Sequence, residues 1–229
     1  LCDIRIWEKQ MLALEHIIKP IFVDLRYHDD LEKMLNAILD LQLEPFILAG
    51  FSMGGYVAQE FALKYPEKLK GLAIVGSSAR GYSETEKKNY QILIKYIVQG
   101  KATVINKSSI LSSIHPSRHQ DQELITLIED MLTNSGDKVF INQQLATLNR
   151  AERFNDLHKI NLSTLVIAGV DDQMANILDV ELTAKSIPNA EFYSFKSCGH
   201  MITLEYPNEV TNILQNWVIT QFGQLAKSG

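Results

Sequence analysis

Pro45-Phe46-Ile47-Leu48-Ala49-Gly50-Phe51-Ser52-Met53-Gly54-Gly55 is the stretch from which the rest of the chain can be read. A short apolar run, Phe46 to Ala49, meets a glycine, and the length of the run suits a buried parallel strand. Directly after it, Val57, Ala58, Phe61, Ala62 and Tyr65 recur at helical spacing, with Ala58 and Ala62 small enough for close approach to a sheet. Gly50 to Gly54 fit the pattern G-x-S-x-G, in which a serine sits on a sharp turn between strand and helix. The turn pushes the hydroxyl clear of the sheet, and the helix N-terminus aims free N–H groups at whatever the serine attacks. Small residues are expected two positions either side, where the two backbones pass too close for a Cβ. Five positions alone recur by chance, and a glycine-rich turn with an incidental serine is the bland alternative. The strand-turn-helix setting argues against it.

Upstream, Ile21 to Leu25 reads as a buried strand introduced by Pro20, and Asp30 as the N-cap of a helix carrying Leu31, Leu35, Ile38 and Leu39. Residues 1–19 bear a helical stripe, Trp7, Met11, Leu14, Ile17 and Ile18, with no strand in front. An α/β domain normally opens with strands, so N-terminal strands are expected ahead of Leu1. Downstream, Pro66 ends the serine's helix and Leu69 to Val75 supplies another strand, stopped by Gly76. Strands alternating with helices imply a parallel sheet with right-handed crossovers. Residues 80–155 break that rhythm with helical patterns, Tyr90, Leu93, Ile94 and Ile97 and later Leu124, Leu127, Ile128 and Met131, and read as a helical insertion. The rhythm returns with a strand at Ser163 to Gly169, a helix to about Ile187, and a strand from Glu191 to Phe195. A last helix carries Val210, Ile213, Leu214 and Trp217. The expected class is α/β: a mostly parallel sheet flanked by helices, contributed by residues 1–79 and 156–229, with the insertion 80–155 between them.

Composition narrows the function. The chain has 229 residues, 46% of them apolar and 21% charged, enough for a sizeable core. A net charge of −5 argues against a nucleic-acid binder, which shows a basic excess. No apolar run approaches the roughly 18 residues of a membrane span, and no charged-then-apolar start marks a secretory signal. Cys2 and Cys198 are far apart and lack metal-ligand spacing, so a reducing, cytoplasmic setting is the expectation. Cys198, two residues before His200, reads as a reactive thiol or, more commonly, a small buried packer. His16, His28, His115, His119 and His158 fit no metal spacing; no metal or cofactor is expected.

Three polar candidates lie just past three different strands: Ser52, one of the pair Asp171 and Asp172, and His200. The carboxyl ends of parallel strands form the ligand crevice, so residues remote in sequence meet there. A serine hydroxyl needs a base during attack, and a histidine, with its reference pKa near 6.5, can take that proton and return it to a leaving alkoxide. A buried carboxylate holds the imidazole tautomer. The oxyanion would be held by the N–H of Met53 and by a second N–H from a loop after an early strand. The acidic pair has a simpler reading too, as a cap or turn before the next helix.

With these residues placed, the chain resembles the α/β-hydrolases over nearly its whole length, and in particular small bacterial ester hydrolases of the biotin-pathway methyl esterase and enol-lactonase type. The resemblance is carried by Leu1-Cys2-Asp3 with Trp7, by Gly50 to Gly55, Ser78-Ala79-Arg80 and Leu165 to Asp172, and by Cys198-Gly199-His200-Met201 with Glu205 and Pro207. Gln173 stands where such proteins often have proline, and Asn161-Leu162-Ser163 lacks the usual proline before the strand. The family places its acid three positions after the glycine ending the strand, which selects Asp172. The resemblance also implies that the second oxyanion donor precedes Leu1, and that the insertion is a helical cap over Ser52. Tyr90, Leu93, Tyr96, Ile97 and Met201 would then line an acyl pocket, although an apolar helical stripe is more often plain packing.

The expected activity is hydrolysis of a small carboxylic ester or lactone through an acyl-enzyme, by a serine carboxylesterase with a Ser52-His200-Asp172 triad. Thioesterase, perhydrolase, C–C hydrolase or lyase chemistry uses the same constellation, and a non-catalytic ligand-binding protein is a further alternative. A locally basic insertion, with Arg80, Lys87, Lys88, Lys95, Lys101, Lys107 and Arg118, would suit an acidic partner such as an acyl carrier protein or a carboxylate substrate, although charge runs more often mark only a solvated helix face.

Overall fold

The computed structural model describes residues 1–223. Four apolar runs become four strands, β1 (Phe46–Phe51), β2 (Leu69–Val75), β3 (Ser163–Gly169) and β4 (Ala190–Phe195), in one parallel sheet whose spatial order repeats the chain order. Register is fixed by pairs such as Ala49 with Ala73, Ala73 with Leu165, and Leu165 with Glu191. The central strands β2 and β3 are covered on both faces from Gly71 to Val75 and from Leu165 to Gly169, so those stretches run apolar instead of alternating.

Successive side chains of a strand point to opposite faces, and the two halves of the core follow that rule. Leu72, Ile74, Val166 and Ala168 face one way, onto a layer made by α2 (Leu31–Leu39), α3 (Met53–Lys64) and α7 (Ile177–Ser186). Ala73, Val75, Leu165 and Ile167 face the other, where Leu14 of α1 (Glu8–Leu14) and Val210, Leu214 and Trp217 of α9 (Pro207–Phe222) meet them. Asp30 caps α2 by accepting the N–H groups of Glu32 and Lys33. Proline opens α9 at its first position, where its missing N–H costs nothing.

Between β2 and β3 the described residues form helices and no strand: α4 (Glu84–Val98), α5 (Lys107–Ser113) and α6 (Gln122–Thr147). α4 begins in a reciprocal capping box, with Ser83 and Glu86 each holding the other's backbone N–H. α6 is broken at Gly136, whose φ of 74° leaves the helical range. No helix among the described residues is long and apolar enough to cross a membrane.

One expected strand is not formed. Residues 21–25 run without secondary structure, with Ile21 46% exposed, although Val23 and Leu25 still pack on the α2–α3 side of the core. A strand exists only with a ladder partner. β1, the sheet's edge among the described residues, pairs with β2 alone, and no other strand reaches residues 21–25. The same edge position leaves Phe46 to Leu48 only half-buried and Ala49 exposed, where full burial was expected.

Candidate active site

β1 delivers Ser52 at its carboxyl end, and the ladder carries the residue past the strand: the Ser52 N–H donates to the Val75 carbonyl at 2.8 Å. Ser52 has φ 53° and ψ −118°. For a residue with a Cβ this is a sparsely populated conformation costing on the order of 1–3 kcal/mol, sustained by the packing around it. The following N–H groups of Gly55 and Tyr56 close back onto the Ser52 carbonyl at 2.9 and 3.2 Å. The N–H of Met53, the first residue of α3, has no intrahelical acceptor.

The glycines divide the steric work differently from the symmetric expectation. A Cβ on Gly50 would lie 2.2 Å from the Gly54 carbonyl oxygen, and one on Gly55 would lie 2.5 Å from the Cβ of Ser77. A Cβ on Gly54 would meet nothing within 4 Å. The tight crossing of strand and helix therefore runs through Gly50 and Gly55, one position beyond the five-residue pattern, while Gly54 borders open space.

β3 ends at Gly169, and Asp172 follows three residues on. Its carboxylate is all but sealed from water. One oxygen, Oδ1, accepts the N–H groups of Met174 at 2.7 Å and Ala175 at 2.9 Å. The other, Oδ2, lies 2.7 Å from His200 Nδ1. Asp171 turns outward, with its carboxylate 3.7 Å from His115 Nε2. Of the acidic pair, then, it is Asp172 that meets the histidine.

His200 follows β4 and is 4% exposed. Its Nε2 lies 2.8 Å from Ser52 Oγ. An ionised carboxylate only accepts, so Nδ1 carries the hydrogen toward Asp172 and the Nε2 lone pair faces the serine hydroxyl. The Phe51 ring packs against the imidazole with centroids 5.0 Å apart. Ser52, Asp172 and His200 are thus brought into one hydrogen-bonded line from three strand ends.

The histidine turn is also held from outside the sheet. The N–H groups of His200 and Met201 both donate to the carbonyl of Ser113, the last residue of α5, at 2.9 and 3.1 Å. Gly199 makes this approach possible, since a Cβ there would lie 2.7 Å from the His115 backbone nitrogen. Glu205, in the short helix α8 (Ile202–Glu205), completes the clasp: its buried Oε2 accepts the N–H groups of His115 at 2.8 Å and Gly199 at 3.2 Å. Its backbone carbonyl receives Arg118 at 2.7 Å. Sequence reading noted Glu205 only as part of a motif. A carboxylate in an otherwise apolar run, Ile202-Thr203-Leu204-Glu205, was the available signal for a buried acceptor.

A cavity of about 1290 Å³ opens beside Ser52 and His200, with Tyr90 and Met201 on its walls. Leu93, Tyr96 and Ile97 do not reach it. Residues further along α4 leave the cavity: Ile97 turns into packing, while Tyr96 is 47% exposed. Cys198 is fully buried, and that burial, with Glu205 and Asp172 nearby, pushes its thiol well above the ordinary range, which suits a packing residue and not a nucleophile. Among the described residues, no cluster of three or more histidine, cysteine or acidic side chains is placed to hold a metal ion.

A family model described as serine aminopeptidase, S33, matches residues 25–207. Among curated proteins, monoacylglycerol lipase ABHD6 of Homo sapiens is 27% identical over 191 residues, a match covering 77% of this chain and 55% of the lipase, so the chain spans about half that protein's length. A 2-hydroxy-6-oxononadienedioate/2-hydroxy-6-oxononatrienedioate hydrolase of Paraburkholderia phymatum is 29% identical over 193 residues, covering 81% of this chain and 67% of its own. Among solved structures, a thermophilic esterase from Thermogutta terrifontis superposes with a TM-score of 0.85 at 23% identity, over 96% of this chain and 86% of its own. The enol-lactonase from Burkholderia xenovorans LB400 does so with a TM-score of 0.78 at 16% identity, over 95% and 87%. These likenesses show the fold. Because the matched residues 25–207 take in all four strands and all three of the converging polar side chains, the chain belongs to the family described as serine aminopeptidase, S33, and with it to the α/β-hydrolase superfamily.

Proposed function

We propose that this protein is a serine hydrolase that cleaves a small carboxylic ester or lactone through an acyl-enzyme on Ser52. The observation that carries the reading is the contact between His200 Nε2 and Ser52 Oγ at 2.8 Å, backed by Asp172 at 2.7 Å on the other ring nitrogen. In this reading the Ser52 oxygen attacks the acyl carbon while its proton passes to His200 Nε2. The carbonyl π pair moves onto oxygen, and the N–H of Met53, free at the start of α3, is the donor this reading assigns to that oxyanion. Collapse of the intermediate expels the alkoxide, which takes the proton from His200 and leaves an ester on Ser52. Water then repeats the sequence, giving its proton to His200 and releasing the acid and the free serine. Asp172 keeps Nδ1 protonated and stabilises the imidazolium formed in each half-reaction.

The family's description raises a second reading, release of an amino acid from a peptide's free N-terminus. Such a substrate brings an ammonium group that needs an uncommitted carboxylate. The carboxylates around the cavity are committed: Asp24 to Arg26, Glu86 and Asp179 to Arg80, Asp172 to His200. That favours the ester or lactone over the peptide. The test is active-site labelling by a fluorophosphonate together with initial rates on aryl esters and aminoacyl arylamides. Labelling and ester turnover in the native protein, both lost in Ser52→Ala by at least about a thousand-fold, are expected. Native protein that neither takes the label nor cleaves esters overturns the reading, and faster arylamide turnover replaces it with the second.

A further inference from the structure

Two arginines, Arg80 and Arg150, stand on the wall of the cavity that holds Ser52. Their situations are opposite. Arg80 is paired: its Nη1 donates to Glu86 at 3.0 Å, its Nη2 donates to the other Glu86 oxygen, and its Nε lies 3.4 Å from Asp179. Arg150, just beyond the end of α6, has no carboxylate within 4.0 Å among the described residues, and its Nε is buried without any hydrogen-bond partner. It is nonetheless held in place, with its guanidinium carbon 4.4 Å from the centroid of the Tyr82 ring and 5.3 Å from that of Tyr56.

Stacking on aromatic faces fixes the plane of a guanidinium but leaves the in-plane N–H directions open. Arg150 is half-buried, and of its three guanidinium nitrogens only Nε is sealed without a partner, so the two Nη groups remain for an incoming acceptor. The nearby acids are not candidates: Glu60 is bound by Arg153 at 2.7 and 3.0 Å, and Glu86 and Asp179 by Arg80. The cavity's other cations are paired, like Arg26 with Asp24, or exposed, like Lys19. Tyr56, beside Arg150, is the fourth residue after Ser52, in the first turn of α3. A planar, oriented, uncompensated guanidinium matches the two-point acceptor geometry of a carboxylate.

We propose that Arg150 binds an acidic group of the substrate, so that the ester or lactone opened at Ser52 carries a carboxylate elsewhere in the molecule. This rests on the hydrolytic reading above and narrows it to a substrate class. Two matched probes separate the ideas: an aryl butyrate, which is neutral, and the aryl hemiester of glutaric acid, which bears a free carboxylate. The ratio of kcat/KM for hemiester over butyrate is measured in the native protein and in Arg150→Gln. A fall in that ratio of roughly 10- to 100-fold, carried mainly by KM and shrinking with added salt, is expected from the loss of one charged two-point contact. A ratio that does not move, whether or not both rates drop, overturns the proposal and leaves Arg150 as a prop between Tyr56 and Tyr82. Should Arg150→Gln fail to fold, inhibition of native butyrate hydrolysis decides instead: glutarate is expected to inhibit at least about tenfold more tightly than glutaramide, and equal inhibition refutes the assignment. Absence of any butyrate turnover or fluorophosphonate labelling would strike the hydrolytic reading itself, a result distinct from either.

Discussion

At the strand ends, the polar atoms around Ser52, Asp172 and His200 answer one another: Asp172 Oδ1 has two N–H partners, Oδ2 has the imidazole, and the imidazole has the serine. Elsewhere on the same cavity, Arg150 is packed just as deliberately between two rings, yet its guanidinium answers to nothing among the described residues. The difference separates two kinds of preparation. A group that moves protons must be poised before substrate arrives, since reorganising it during the reaction would raise the barrier. A group that recognises substrate keeps its donors free.

The sharpest way to break the poised end is Asp172→Asn. The amide oxygen can keep the N–H groups of Met174 and Ala175, but an NH2 then faces His200 Nδ1 and favours the tautomer with hydrogen on Nε2, where no lone pair is left for Ser52. A drop in kcat of about 10,000-fold with little change in melting temperature is expected from steady-state rates and thermal unfolding. Glu205→Ala probes the clasp behind the histidine turn. It strands two buried N–H groups, those of His115 and Gly199, at about 1–3 kcal/mol each. Calorimetry should show Tm lower by roughly 2–4 °C per kcal/mol lost, and kcat should fall roughly 10- to 100-fold, because a loosened His200 is misaligned for most of the time. An activity loss without a stability loss would contradict this account.

The smallest effect compares two glycines beside the serine. Gly55→Ala drives a methyl to 2.5 Å from Ser77 and should cost about 1–3 kcal/mol of stability. Gly54→Ala meets nothing within 4 Å and should leave the protein as stable or slightly more so, by less than about 1 kcal/mol. Denaturant titration of the two variants distinguishes a requirement set by the backbone crossing from one set by the pattern.

How much of this was legible follows the range of the forces involved. The ends of β2 and β3 stand in the sequence because the stretches buried on both faces, Gly71 to Val75 and Leu165 to Ala168, run apolar and stop where Gly76 and Gly169 turn the chain. Ser52 and His200 were marked by their strand-end positions, with His200 preceded by Gly199. Ile21 to Leu25 misled because an apolar run specifies burial but not a ladder partner, and Val23 and Leu25 do pack on the core without forming a strand. Tyr96 misled in the same way: spacing along α4 does not say which neighbour the helix will meet. Arg150 carried no signal at all, since its meaning lies in the carboxylates that its neighbours have already claimed.

Ser113 gives its single carbonyl to the N–H groups of both His200 and Met201. The His200 turn is therefore anchored partly to α5, a helix of the segment between β2 and β3, and not to the sheet alone. Any displacement of α5 wide enough to pull Ser113 away would slacken the imidazole as well, so under the proposed mechanism the seating of this helix and the reactivity of the serine are coupled. Chimeras that borrow a covering segment from a relative should accordingly be judged first by how they seat the base, and only then by the shape of the pocket they create.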